Sequence, residues 1–227
     1  KVLLFKSIDV CYYNQGGARC QGILKVQKKK YVKTSAYLIG LLCTCFGVAL
    51  LLKTNWGLDA WNGVFYGLEK LTRFSFGVWS IIIQGAFFLI AAALDKKIEW
   101  RCIFPIIYKG IFLDVAKAAM SILPTPSGFI GNSLFFLSGY LIVAFGTGLY
   151  VATGYPKMPI DGLMTALSKV FAGSIKKSRL LIEVTGFILL IFVRGPFGIG
   201  TIIITFTIGY FISVSRNITG KWLEQRI

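Results

Sequence analysis

Only nine acidic residues stand against 25 Lys and Arg in this 227-residue chain, and those that fall inside apolar stretches carry the chemistry. Glu183 lies in the run from Leu180 to Val184, and Asp114 shares an apolar stretch with Lys109 and Lys117. A carboxylate in hydrocarbon costs about 2.5–3.5 kcal/mol on insertion scales, so each must face protein, paired or protonated. Asp114 and Lys117 stand three residues apart, a spacing that lets them neutralise each other on a helix. Arg179, four residues before Glu183, offers that carboxylate a local partner. The functional alternative is that Glu183, Asp114 and Lys109 bind an ion or a polar solute.

Other chemistries are closed by residue type. The chain has no His, so neither a His-containing zinc site nor a His-based triad or dyad can be built. The five Cys are scattered; Cys43 and Cys45 point their thiols about 200° apart on a helix, which suits packing rather than metal. Gly195, Gly198 and Gly200 lack the Gly-Lys-Ser/Thr of a phosphate loop. No carboxylate pair has a recognisable catalytic spacing, so neither an enzyme nor a cofactor or metal site is expected.

The elements that position these groups come in two copies. Residues 37–115 align with residues 136–214 at a constant offset of 99 without a gap. Identities include Gly40/Gly139, Gly47/Gly146, Thr54/Thr153, Gly63/Gly162, Ser75/Ser174 and Gly110/Gly209. With 56% hydrophobic residues and a mean hydropathy of +0.71, the chain has more apolar surface than a soluble core of this length buries. A bilayer core of about 30 Å takes roughly 20 apolar residues per helix. Six segments qualify, at about 36–52, 75–94, 102–122, 130–152, 176–194 and 198–215. Three spans per copy turn the second copy upside down relative to the first, the plan of many membrane carriers.

After its first span, each copy carries a short amphipathic helix. Leu58, Trp61, Val64, Phe65, Leu68 and Leu71 lie opposite Asp59, Asn62, Glu69 and Lys70, and Ile160, Leu163, Met164, Leu167 and Phe171 repeat the pattern. A 14-residue helix covers only about 21 Å, so it lies in the interface or dips part-way into the bilayer. If it dips in, the breaks at 55–57 and 154–159 interrupt a transport helix whose N-terminus faces a substrate. The offset makes Asn62 equivalent to Asp161, and Gln84 equivalent to Glu183. The candidate substrate or ion site is therefore Asn62, Gln84, Lys109, Asp114, Asp161 and Glu183.

Basic residues set the orientation. With the N-terminus inside, 19 Lys and Arg fall on cytoplasmic segments and 4 outside, and Lys109 and Lys117 lie within the third span. The net charge of +16 is thus explained by topology, and no nucleic-acid module accompanies it. The expected organisation is a basic, flexible cytoplasmic tail over 1–35, membrane repeats over 36–122 and 129–215, and a cytoplasmic tail over 216–227. Lys25, Lys28, Lys29, Lys30 and Lys33 place the N-terminal tail against anionic headgroups.

Several short motifs, in order along residues 36–215, carry a family resemblance. Gly47-Val48-Ala49-Leu50 leads to Asn55-Trp56-Gly57-Leu58-Asp59-Ala60-Trp61. Phe74-Ser75-Phe76-Gly77, Asp161-Gly162-Leu163-Met164 and Gly198-Ile199-Gly200-Thr201 follow. The chain resembles the YczE and YitT group of bacterial integral membrane proteins. That resemblance implies a multi-span plasma-membrane protein and supplies no catalytic residue. The expectation is the YczE-type side, without the soluble C-terminal domain of many YitT-type members. An all-α carrier of a small solute or ion is expected, with the lipid bilayer as its surroundings. The alternative is a non-catalytic membrane component that supports the assembly or stability of a partner protein. A homodimer is compatible with either.

Overall fold

The computed structural model describes residues 17–54, 56–96, 98–171 and 174–226, without the side chains of 17–26, 28, 175, 176 and 226. Cys11 and Asn55 lie outside the described residues, as do residues 1–16 of the tail. Every regular element among the described residues is helical: α1 (Gly17–Leu52), α2 (Ala60–Leu71), α3 (Phe76–Asp95), α4 (Ile103–Ser121), α5 (Gly128–Ala152), α6 (Pro159–Val170), α7 (Ile175–Phe192) and α8 (Ile199–Arg226). A single 3₁₀ turn, Trp100–Cys102, precedes α4.

Four helices are long and apolar enough to cross a bilayer, within Lys29–Leu52, Phe76–Asp95, Gly128–Ala152 and Ile199–Gln225. The two remaining long helices, α4 and α7, have 19 and 18 residues. They carry the charges singled out above, Lys109, Asp114 and Lys117 on α4 and Arg179 and Glu183 on α7, which lowers their apolar character.

Two pairs of helix starts follow the offset of 99: α2 and α6 begin at 60 and 159, and α3 and α7 at 76 and 175. The capping chemistry repeats with them. Ser75 accepts from Val78 N and Ser174 from Lys177 N at the starts of α3 and α7. Thr54 and Thr153 each donate to the carbonyl three residues back, at 2.8 and 2.6 Å.

Helices α1 and α5 pack antiparallel through matched glycines. A Cβ on Gly40 would stand 2.8 Å from the Gly146 carbonyl oxygen, and one on Gly47 2.8 Å from that of Gly139. Exchanging the copies maps one contact onto the other. The aromatic pairs Trp56/Phe136 and Tyr155/Tyr37 exchange in the same way, with centroids 5.3 and 5.4 Å apart. Helix α4 runs along α1, where Tyr108 donates to Leu38 O at 3.5 Å. Helix α8 runs along α5, where Tyr140 and Thr207 share a hydrogen bond of 2.7 Å and Ser215 donates to Phe145 O at 3.2 Å. Each short helix packs on the third helix of its own copy and on that of the other, α2 on α3 and α7, and α6 on α7 and α3.

Two tail boundaries move. The first helix starts at Gly17 rather than near 36, so the basic run continues the helix, and α8 continues through the expected C-terminal tail to Arg226. At 1.5 Å per residue these helices reach about 54 and 42 Å, past a hydrocarbon core of about 30 Å. Their overhangs meet at one end of the bundle, where Ala36, Leu149 and Leu223 cluster.

Candidate functional site

Helix α2 is only 12 residues, about 18 Å, and its first turn is its most buried part. Asp59 caps it, accepting from Asn62 N at 3.2 Å and from Asn62 Nδ2 at 2.8 Å. Asn62 therefore lies on the buried side, 7% exposed, and not on the polar face expected from the amphipathic pattern. Capping explains the difference, because an amide that bonds the cap carboxylate must turn toward it. Ala60 and Trp61 press on α7, where a Cβ on Gly186 would stand 3.0 Å from Trp61 Nε1. The Trp61 ring meets Phe87 of α3 edge-on at 4.6 Å. Polar atoms around this junction lack partners: Trp61 Nε1, Asn62 Oδ1, Ser80 Oγ and Gln84 Oε1 are all buried without a hydrogen bond. Ser80, Gln84 and Phe87 lie on one face of α3.

The second short helix begins differently. Met158 provides no side-chain cap, Pro159 removes one backbone donor and Asp161 brings a negative charge to the first turn. Burial raises the Asp161 carboxyl above its ordinary value against the pull of Lys157, Lys109 and Arg179. Arg179 and Glu183 lie four residues apart on α7. Asp59 and Asp161 place a carboxylate at the first turns of α2 and α6, and Arg179 and Glu183 lie on α7, which packs on both short helices. The Arg179 guanidinium lies against α8, where a Cβ on Gly209 would stand 2.9 Å from Nη1. No ion pair between Arg179 and Glu183 falls among the described salt bridges.

Two residues of the expected site do other work. Asp114 accepts from Ser75 Oγ at 2.5 Å and from Gly77 N at 2.8 Å, which ties α4 to the start of α3. The α3 and α4 backbones meet beside it, where a Cβ on Gly77 would stand 2.0 Å from the Gly110 oxygen. Lys117 does not neutralise Asp114; it pairs with Glu69 of α2 and covers the Tyr66 ring at 5.1 Å. The i, i+3 pairing fails because the Ser75 hydroxyl and the free N–H groups of α3 meet the carboxylate first. Cys45, fully buried, donates its thiol to Lys109 O at 3.7 Å.

Of the six residues expected from sequence, Asn62 and Gln84 carry two of the unpartnered atoms, Asp161 and Glu183 lie on α6 and α7, Lys109 lies on α4, and Asp114 stands apart. Sequence reasoning missed Ser80 and left Trp61, Asp59 and Arg179 outside the site. The offset of 99 carries the missing signal, since it places Ser80 opposite Arg179 just as it places Gln84 opposite Glu183.

The unpartnered atoms on α2 and α3 offer both kinds of hydrogen bond: Gln84 Oε1 and Asn62 Oδ1 accept, while Trp61 Nε1 and Ser80 Oγ donate.

Residues 31–217 match the model of a family described as a family of unknown function, DUF6198. An uncharacterized protein of Haemophilus influenzae is 27% identical over 192 residues, 85% of this chain and 87% of the relative. The uncharacterized membrane protein YczE of Bacillus subtilis is 26% identical over 194 residues, 84% and 88% of the two chains. The uncharacterized protein YyaS of the same organism is 24% identical over 173 residues, 76% and 86%. No solved structure gives a significant match.

Proposed function

The chain belongs to the DUF6198 family, and we propose that it is a multi-pass membrane carrier of a small polar solute or ion. In this reading two inverted repeats cross the membrane six times, with α4 and α7 as the charged crossings and both termini on the cytoplasmic side. The short helices α2 and α6 enter part-way and stop. One observation carries the reading: four buried polar atoms without partners, Trp61 Nε1, Asn62 Oδ1, Ser80 Oγ and Gln84 Oε1, gather on α2 and α3. An unsatisfied buried group costs about 1–3 kcal/mol, and a ligand that completes its hydrogen bonds recovers that energy. The antiparallel contact of α1 and α5 supports the inversion. Packing of each short helix against both copies supports a site between repeats that can rock against each other.

A thermal-stability screen of the detergent-purified protein against ions and polar metabolites tests this reading, run beside Asp161→Asn and Glu183→Gln. A ligand at a hundredfold excess over Kd stabilises the folded state by about 2.7 kcal/mol. The proposal expects a saturable shift in the parent protein that both variants lose. Shifts that persist unchanged in both variants remove these carboxylates from the site. A partner-supporting role draws on a different observation, the tying of Asp114 and Lys117 into structural contacts. A stable co-purifying membrane protein, with no shift for any solute, favours that role.

A further inference from the structure

At the end of the bundle where α1 and α8 overhang, an open apolar groove of about 520 Å³ runs between α1, α5 and α8. Val32, Ala36 and Ile39 form one wall, Phe145 and Leu149 the floor, and Ile218 and Trp222 the other wall. A second groove of about 240 Å³ continues from it between α5 and α8, and the two share Phe145 and Ile218. The combined track descends from the overhang into the long apolar stretches of α5 and α8. Its volume falls within the range of about 300–1,000 Å³ typical of ligand sites.

Charge marks one end of the track. Lys29 lies one turn before Val32, and Lys221 lies next to Trp222, both at the outer end of the track. Both lysines are exposed. Glu224, the nearest acidic residue along α8, lies on the opposite face of that helix from the groove. An apolar channel with a cationic mouth matches a molecule with an anionic head and an acyl tail, and a membrane supplies one in abundance.

We propose that this groove holds one anionic phospholipid, its phosphate at Lys29 and Lys221 and an acyl chain along Phe145 and Ile218. The site rests on the membrane placement proposed above and is independent of transport. The lipid would clasp the ends of α1, α5 and α8 together. It thereby links the two halves of the chain at the surface that carries both basic overhangs.

The test uses delipidated protein in an uncharged detergent, titrated with phosphatidylglycerol or phosphatidylcholine and read by native mass spectrometry and melting temperature. The parent should bind phosphatidylglycerol preferentially as a single adduct and melt higher with it. The double variant Lys29→Gln/Lys221→Gln should bind it about 30-fold more weakly, with phosphatidylcholine binding unchanged. Ile39→Trp, which fills the groove, should weaken both lipids. Equal binding of the two lipids by the parent, or retention of the single adduct in Ile39→Trp, overturns the proposal. Disulfide-linked dimers of Ile39→Cys that form despite excess lipid also overturn it, by making a second copy the occupant. Alkaline extraction of each variant from membranes provides the separation: a protein that leaves with the wash contradicts the membrane placement, whereas an inserted protein without lipid preference contradicts only the groove.

Discussion

Replacing Asp114 separates the structural and the ligand-binding roles that a carboxylate in α4 could have. Its two oxygens take hydrogen bonds from the Ser75 hydroxyl at 2.5 Å and the Gly77 amide at 2.8 Å. A hydrogen bond to a charged group contributes about 1.5–3 kcal/mol. The carboxylate also faces the positive end of α3, worth about 0.3–1 kcal/mol. Because Asp114 is only half-buried, the lower ends of these ranges apply, and Asp114→Ala should lose about 3 kcal/mol. Asp114→Asn keeps a neutral acceptor for the Gly77 amide and should lose about half as much. The assay is thermal melting in detergent, checked by urea-dependent proteolysis so that the order of the two variants does not rest on one method. Melting should fall in the order parent, Asn, Ala, while any ligand-induced shift persists in the Asn variant. Parent-like melting of both variants together with loss of the ligand shift would refute the capping account and return Asp114 to the binding site.

Glycine contacts give a second expectation: Gly40→Leu should drive α1 from α5 and abolish the folded protein in size-exclusion chromatography, because an added Cβ would stand 2.8 Å from backbone atoms of α5. Gly162→Ala, where nothing lies within 4 Å of the added Cβ, should be neutral or stabilising by up to about 1 kcal/mol. Topology gives a third. With the Cys background removed, Arg73→Cys between α2 and α3 should label with an impermeant thiol reagent added outside intact cells. Lys157→Cys between α5 and α6 should label only after lysis. Labelling of both positions from the same side would contradict the inversion.

What the sequence made legible was the duplication and its punctuation. Ser75/Ser174 and Thr54/Thr153 stood out as identities at the offset; the structure puts them at matching helix ends, and the starts of α2 and α6 and of α3 and α7 follow the same offset. Glycine pairs could be read as small packing residues, but which glycine meets which depends on helix direction, a tertiary fact. Asn62 looked solvent-facing because periodicity counts it among polar residues; its bond to Asp59 turns it inward. Asp114 and Lys117 looked like a self-contained pair because spacing along one helix says nothing of Ser75 or Glu69 on other elements. Glu183 was conspicuous as an acidic residue in an apolar run. Ser80 and Trp61 were silent, since a serine or tryptophan in such a run becomes informative only when its polar atom is found without a partner.

The flux of ions and small polar solutes across proteoliposomes tests carrier function most directly, recorded as substrate-dependent current or tracer uptake with parent, Asp161→Asn and Glu183→Gln proteins reconstituted at equal density. The carrier reading predicts saturable flux of at least one solute class in the parent, and its loss in both variants with insertion unchanged. A correctly inserted parent that moves no solute above empty liposomes across the whole panel would contradict it.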